Sequence, residues 1–131
     1  MPICIVRLGE PRATGEGLRI GTVRRPPRGV PKAEFATRDY YDVWLPNLAP
    51  SDALMKEGLA AQASGSDAQW KAFARRYTAE MKQPERAHLL DTLAALSHHA
   101  AFAVGCYCED ESRCHRSLLR GLLAERGAAI K

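Results

Sequence analysis

The sequence predicts an α/β fold: a single compact three-layer domain in which a small, mainly parallel sheet is flanked by helices. Three observations lead to this prediction. Short strand-like runs occupy the first 45 residues, helical periodicity begins at Ser51, and an uninterrupted apolar run at 100–106 follows the helices. Such a run is typical of a strand that is buried on both faces, as in a parallel sheet. At 131 residues the chain is predicted to form one domain, 1–131.

The first third of the chain is predicted to supply strands and a stiff basic loop. Ile3–Leu8 and Leu18–Arg24 have the β-branched composition of strands. The segment 24–32 contains three prolines and a glycine, which exclude regular structure and hold its arginines on an extended loop. A third short strand is predicted over Tyr40–Leu45, ahead of Pro46.

The remaining chain is predicted to form helices around the strand at 100–106. Ser51 is a natural N-cap for the first helix, the second begins near Asp67, and Pro84 suits the first turn of the third. A final helix is predicted to begin near Arg113, with Ser112 as its N-cap. Apolar stripes predict core-facing sides on the second, third and final helices, namely Trp70, Phe73, Tyr77 and Met81, then Leu89, Leu90, Leu93 and Leu96, then Leu118, Leu119, Leu122 and Leu123.

Charge and composition narrow the class of protein. The net charge of +4 is uneven, because residues 1–32 carry +5 and the rest −1. A basic end favours an anionic partner such as phosphate, a nucleotide or nucleic acid. No apolar run approaches the roughly 20 residues of a membrane span, and the N-terminal apolar stretch is too short for a signal peptide. We therefore expect a cytoplasmic protein without a membrane partner.

The most informative part of the chain is the stretch CYCEDESRCHR. With Ser112 as N-cap, Arg113, Cys114 and His115 would occupy the first helical turn, where backbone N–H groups lack partners and the helix dipole is positive. This arrangement predicts an anion pocket, which Arg113 and Arg116 would strengthen. The same field lowers the pKa of a thiol and disfavours a protonated imidazole. We therefore predict Cys114 and His115 as catalytic residues and Arg113 and Arg116 as ligand-binding residues.

Other interpretations of this stretch remain open. Cys106, Cys108, Cys114 and His115 have the residue types of a metal site, but structural zinc normally uses wider-spaced pairs. Neighbouring side chains on a helix also point about 100° apart. We therefore expect no structural zinc and no cofactor. The spacing from Cys114 to Arg120 matches a phosphate loop, yet the segment lacks a glycine and has a helical pattern. A plain alternative is that Cys106 is a core residue next to an ordinary capped helix.

The predicted ligand pocket extends beyond this stretch. Arg24 and Arg28, on the proline-rich loop, are expected to face the start of the last helix, with Trp44 and Ser51 lining the pocket. Three further histidines have no partners at suggestive spacing and are expected to be solvated or structural: His88, His98 and His99.

Several motifs along the chain occur in the order in which one known family carries them. They are Pro27-Arg28-Gly29-Val30, Trp44, Ala49-Pro50-Ser51, Leu54, the stripe Trp70, Phe73, Tyr77 and Met81, and Cys-x-Cys-x5-Cys-His-Arg at 106–116. On these residues the chain resembles the domain-of-unknown-function 488 family, including its YeaO-like branch, along nearly its whole length. His115 is the position that the two branches share. The resemblance implies a compact three-layer α/β fold and no particular reaction.

The chain departs from the family at the basic loop. The family often has Asp-Arg-Leu-Trp-Pro-Arg-Gly where residues 23–29 read Val-Arg-Arg-Pro-Pro-Arg-Gly. The missing aspartate and tryptophan argue against an acid–base role for this loop, whereas Arg24 and Arg28 remain.

Three classes of function follow. The first is a protein that binds a phosphate-bearing ligand, a nucleotide or nucleic acid, at the start of the last helix and acts on it as a hydrolase or transferase. The second is a non-catalytic nucleic-acid-binding module that uses the basic N-terminal third. The third is a redox or metal-sensing domain built on the cysteines. Salt dependence separates the first two classes, because binding to a nucleic-acid backbone weakens steeply with salt.

Overall fold

The computed structural model describes residues 2–131, and these form a parallel sheet and a set of helices. The strands are β1 (Ile3–Arg7), β2 (Leu18–Gly21), β3 (Val43–Trp44) and β4 (Phe102–Cys106). The α-helices are α1 (Asp52–Ser64), α2 (Asp67–Glu80), α3 (Pro84–Leu96) and α4 (His115–Glu125). Single 3-10 turns lie at Lys32–Glu34, Pro46–Leu48 and Glu111–Arg113. The predicted α/β class is confirmed.

The strand order is β1-β4-β2-β3, and all three pairings are parallel. β4 lies between β1 and β2, with Val104 opposite both Ile5 and Ile20. All five residues of β4 are buried. The prediction of a central strand buried on both faces is therefore confirmed, and its carboxyl end lies beside the start of α4.

One face of the sheet packs against the helices. Ile3, Ile20, Phe102 and Val104 share a buried cluster with apolar side chains from all four helices. The predicted stripe on α2 belongs to this cluster, because Phe73, Tyr77 and Met81 are buried and Trp70 packs against them. Leu90 and Leu93 of α3 are also buried, whereas Leu96 is 43% exposed, so the predicted face of α3 is shorter than expected.

Loops cover the opposite face of the sheet. Arg19 projects from β2 on this side, and its guanidinium donates hydrogen bonds to the carbonyl oxygens of Glu10 and Asp39. The ring of Tyr41 lies against Gly21, where an added Cβ would come within 2.3 Å of it. The sheet thus lies between a layer of helices and a layer of loops.

The start of the last helix differs from the prediction. α4 begins at His115, and its N-cap is Cys114 instead of Ser112. The Asp110 carboxylate accepts hydrogen bonds from both the backbone N–H and the hydroxyl of Ser112, and this turns residues 111–113 into a separate 3-10 turn. A carboxylate is a strong acceptor for such local hydrogen bonds, so Asp110 caps the 3-10 turn that lies before α4. None of the helices within residues 2–131 has the length and apolarity of a membrane span.

Candidate functional site

Two buried cysteines meet where β4 ends and α4 begins. Cys106 is the last residue of β4 and Cys114 is the N-cap of α4. Their sulfur atoms are 2.6 Å apart, and both side chains are buried. The site therefore lies at the carboxyl end of the central parallel strand, where open α/β sheets bind ligands.

His115 follows Cys114 directly, and the two side chains converge. Cys114 has an extended backbone, with φ −127° and ψ 152°, because the helix begins one residue later. The sequence argument assumed that both residues lie on one helix and therefore point about 100° apart. That assumption is wrong, and Cys114 Sγ lies 3.7 Å from His115 Nδ1.

The protonation of His115 follows from its surroundings. Its Nε2 lies 2.7 Å from the carbonyl oxygen of Thr22, which can only accept a hydrogen bond. Nε2 therefore carries the proton, and Nδ1 presents a lone pair toward the sulfur of Cys114. Burial lowers the pKa of His115, which keeps the imidazole neutral. A neutral histidine was expected from the helix dipole, but burial is the main cause.

Cys108 is a site residue that the sequence analysis considered only as a metal ligand. Interaction with the neighbouring thiols of Cys106 and Cys114 lowers the pKa of Cys108. Gln62 Nε2 also donates to its sulfur, at 3.4 Å. The same contact with Cys108 raises the pKa of Cys106 to about 12. The pKa of Cys114 is raised as well, chiefly by its hydrogen bond to Cys106, so ionisation of the cluster is favoured at Cys108 over Cys106 and Cys114.

A narrow crevice of about 50 Å³ leads to this cluster. Cys108, Cys114 and His115 line it together with Gln62 and Arg113. Arg113 forms an ion pair with Asp67, and its guanidinium carbon lies 6.0 Å from the centre of the Trp70 ring. Its Nη1 is buried and has no hydrogen-bond partner among residues 2–131. Arg113, a crevice residue beside the cysteine–histidine cluster, thus keeps one guanidinium nitrogen without a hydrogen-bond partner in the described part of the chain.

Arg116 shapes the loop that carries Cys108. Its side chain is buried, and Nη2 donates a hydrogen bond of 2.6 Å to the carbonyl oxygen of Cys108. Its Nε is buried without a partner within the described part of the chain. Arg116 therefore holds the loop against the first turn of α4.

The side chain of Arg24 reaches from the loop after β2 to the turn that precedes α1, where Ser51 lies. Arg24 Nε donates to the carbonyl oxygen of Pro50 at 3.0 Å, and Nη2 donates to that of Pro46 at 3.2 Å. Ser51 Oγ accepts from the backbone N–H of Leu54, which confirms Ser51 as the N-cap of α1. Pro50 lines the crevice, so Arg24 and Ser51 help to fix the position of a crevice residue and do not line the crevice themselves.

Trp44 and Arg28 line other surfaces. Trp44 Nε1 donates to the carbonyl oxygen of Val23 at 2.7 Å, and Trp44 borders a cavity of about 700 Å³ beside the edge strand β3. Arg28 borders a separate cleft with Arg25 and Tyr107. Of the predicted site residues, the structure brings Arg113, Cys114, His115 and Arg116 together at the start of α4, whereas Arg28 and Trp44 lie apart from them.

Comparison with known proteins supports the resemblance noted in the sequence. The family model described as the Active DUF488-N3 subclade matches residues 3–127. No curated protein and no solved structure gives a significant match. The matched range includes every strand and helix of the fold and the whole cysteine–histidine cluster. The chain therefore belongs to the DUF488 family of domains of unknown function.

Proposed function

We propose that this protein binds a phosphate-bearing ligand through the crevice at the start of α4. One observation carries the proposal: Arg113, whose Nη1 has no hydrogen-bond partner, lines the same crevice as a helix start that has no side-chain cap in residues 2–131. A helix N-terminus attracts anions through its exposed N–H groups and its dipole. An arginine beside it adds a charged hydrogen-bond donor for phosphate oxygens.

The size of the crevice limits how much of a ligand enters it. Its volume of about 50 Å³ suits a single phosphate-sized group. Pockets that enclose whole drug-sized ligands measure roughly 300–1,000 Å³. The remainder of a nucleotide or nucleic acid would therefore lie on the outer surface of the protein.

The cysteine and histidine side chains that line the crevice determine which reactions a bound ligand could undergo. Cys108, Cys114 and His115 would be the side chains nearest to a bound phosphate. The description of the matched subclade as active supports turnover of the ligand, by a hydrolase or transferase reaction. We propose that His115 accepts a proton at Nδ1, because Nε2 is already engaged by Thr22.

Equilibrium titration with inorganic phosphate and mononucleotides, at fixed ionic strength, tests this proposal. We expect Arg113→Ala to weaken binding by about 1.5–3 kcal/mol, the range for a hydrogen bond to a charged group. Arg28→Ala is the matched control, since it removes an arginine that lines another cleft. Equal affinities for the wild type and Arg113→Ala would overturn the proposal.

The second candidate function, nucleic-acid binding without catalysis, rests on a different cleft. Arg7, Arg25 and Arg28 border it together with Tyr40 and Tyr107, whose ring centres are 6.2 Å apart. Arginines contact phosphates, and aromatic rings stack on bases, in many single-strand binding sites. Binding of a single-stranded oligonucleotide that falls steeply with salt and weakens in Arg28→Ala, but not in Arg113→Ala, would favour this function.

A further inference from the structure

We propose that Cys106, Cys108, Cys114 and His115 bind one zinc-like divalent metal ion. This replaces the expectation of no zinc drawn from the sequence, because Cys114 precedes α4 and its sulfur lies 3.7 Å from His115 Nδ1. The site goes beyond the proposed ligand binding, because it needs no phosphate. His115 Nδ1 would bind the ion in the metal-loaded protein and would accept a proton only in the metal-free protein. Cys106 at the end of β4 meets Cys114 and His115 at the start of α4, and Cys108, on the loop between these elements, lines the same crevice as Cys114 and His115. Three thiolates and one imidazole form a known structural zinc set.

The distances are close to those of a tetrahedral site. The ligand atoms of Cys106, Cys114 and His115 all lie within 4.8 Å of one another. Two sulfurs that each lie about 2.3 Å from a tetrahedral zinc are about 3.8 Å apart. The sulfurs of Cys106 and Cys114, now 2.6 Å apart, would separate by about an ångström to admit the ion. Cys108 would supply the fourth ligand by rotation of its side chain, since it lines the same crevice as Cys114 and His115.

The surroundings orient the ligands as in established metal sites. A histidine that binds a metal usually donates its other ring N–H to a carbonyl or carboxylate, which fixes the tautomer. His115 does so through Nε2 and the carbonyl oxygen of Thr22, and this leaves Nδ1 facing the sulfurs. Gln62 from α1 donates in the same way to the sulfur of Cys108. Two of the four ligands are therefore held in place from outside the cluster.

Charge and access also suit a metal. Three thiolates with a divalent ion leave one negative charge, which the start of α4 and the neighbouring Arg116 would balance. Thiolate and imidazole ligands favour zinc over magnesium or calcium. The crevice that reaches Cys108, Cys114 and His115 offers a path for the ion to enter.

Cobalt(II) titration of the reduced full-length protein, followed by competition with zinc, tests the inference. We expect one cobalt per chain, the visible absorption of tetrahedral cobalt, a sulfur-to-cobalt charge-transfer band, and displacement by zinc. Cys108→Ser and His115→Gln should each weaken cobalt binding at least tenfold. Cys4→Ser, at a free cysteine on β1, and His99→Gln, at an exposed histidine, are the matched controls and should bind like the wild type.

Circular dichroism of each variant shows whether a loss of cobalt binding results from a loss of folded structure. Cys108 is only partly buried, so Cys108→Ser should fold even if Cys106→Ser does not. The inference is overturned if the reduced wild type gives no tetrahedral cobalt spectrum, or if Cys108→Ser and Cys4→Ser bind cobalt equally. The isolated protein could contain a disulfide between Cys106 and Cys114. If the protein still takes up no cobalt after that disulfide is reduced, the inference is also overturned. Phosphate titration of the metal-free protein tests the proposed phosphate binding separately. A failure to bind cobalt can therefore be distinguished from a failure to bind phosphate.

Discussion

The carboxylate of Glu16 and the guanidinium of Arg19 are joined by two hydrogen bonds of 2.8 Å inside the loop layer. The two side chains are only 2% and 1% exposed. Arg19 also donates to the carbonyl oxygens of Glu10 and Asp39, so the pair links the β1–β2 loop and the loop before β3 to β2. Part of the positive charge in the first 32 residues therefore stabilises the fold and is not available to an anionic partner.

Removing the carboxylate of Glu16 should destabilise the protein strongly. We expect Glu16→Gln to lower the free energy of unfolding by about 3–5 kcal/mol, because it leaves the charge of Arg19 buried without a counter-ion. Urea denaturation followed by circular dichroism measures this change. Glu34→Gln is the matched control, since its exposed pair with Arg38, at 4.0 Å, should contribute less than about 1 kcal/mol. Similar losses in both variants would contradict the prediction.

Glu16 should also make stability depend on acid pH. Burial raises the pKa of Glu16, but the hydrogen bond from Arg19 and nearby charges outweigh burial, and the pKa is lowered from its ordinary 4.5. A folded-state pKa below the unfolded value means that this stabilisation is complete above about pH 4.5 and is lost as the pH falls through the folded value. Unfolding free energies measured from pH 7 to pH 3 should fall less steeply in Glu16→Gln than in the wild type. Parallel curves would contradict this.

Two glycine substitutions should have opposite effects. A Cβ at Gly21 would lie 2.3 Å from the buried ring of Tyr41, so we expect Gly21→Ala to cost about 1–3 kcal/mol through overpacking. Gly121 lies within α4, and a Cβ there meets nothing within 4 Å. Gly121→Ala should stabilise the protein by about 0.5–1 kcal/mol, because alanine favours the helix. Thermal unfolding of both variants checks the sign of each effect.

The position of the last helix start can be tested by a pair of serine variants. Ser51 caps α1 and also donates a hydrogen bond of 2.6 Å to Glu80, so Ser51→Ala should cost about 0.5–2 kcal/mol. Ser112 caps no helix, and its hydroxyl bonds only locally to Asp110. Ser112→Ala should therefore change the unfolding free energy by less than about 0.5 kcal/mol. An equal loss of unfolding free energy in both variants would contradict this prediction and indicate that Ser112 caps α4.

The sequence was most reliable where local patterns decide the structure. The helical stripe from Trp70 to Met81, the N-cap at Ser51 and the apolar run that becomes β4 were all predictable, because periodicity and capping act over a few residues. The start of α4 was not, since the hydrogen bonds of Asp110 to Ser112 compete with a simple cap at Ser112. Local rules identify both Asp110 and Ser112 as possible N-caps. They do not say which of these two acceptors, two residues apart, is used.

The sequence by itself determined which elements form, their order, and that the residue types for a cysteine–histidine site occur together at 106–115. Only the tertiary structure decided the sheet order, the burial of Arg19 with Glu16, and the separation of Arg28 from the start of α4. It also placed the carbonyl oxygen of Thr22 against His115, and this contact aims Nδ1 at the cysteines. The physical reason is that these contacts join residues far apart in the chain, so their geometry depends on how the strands pair and how the loops close over them.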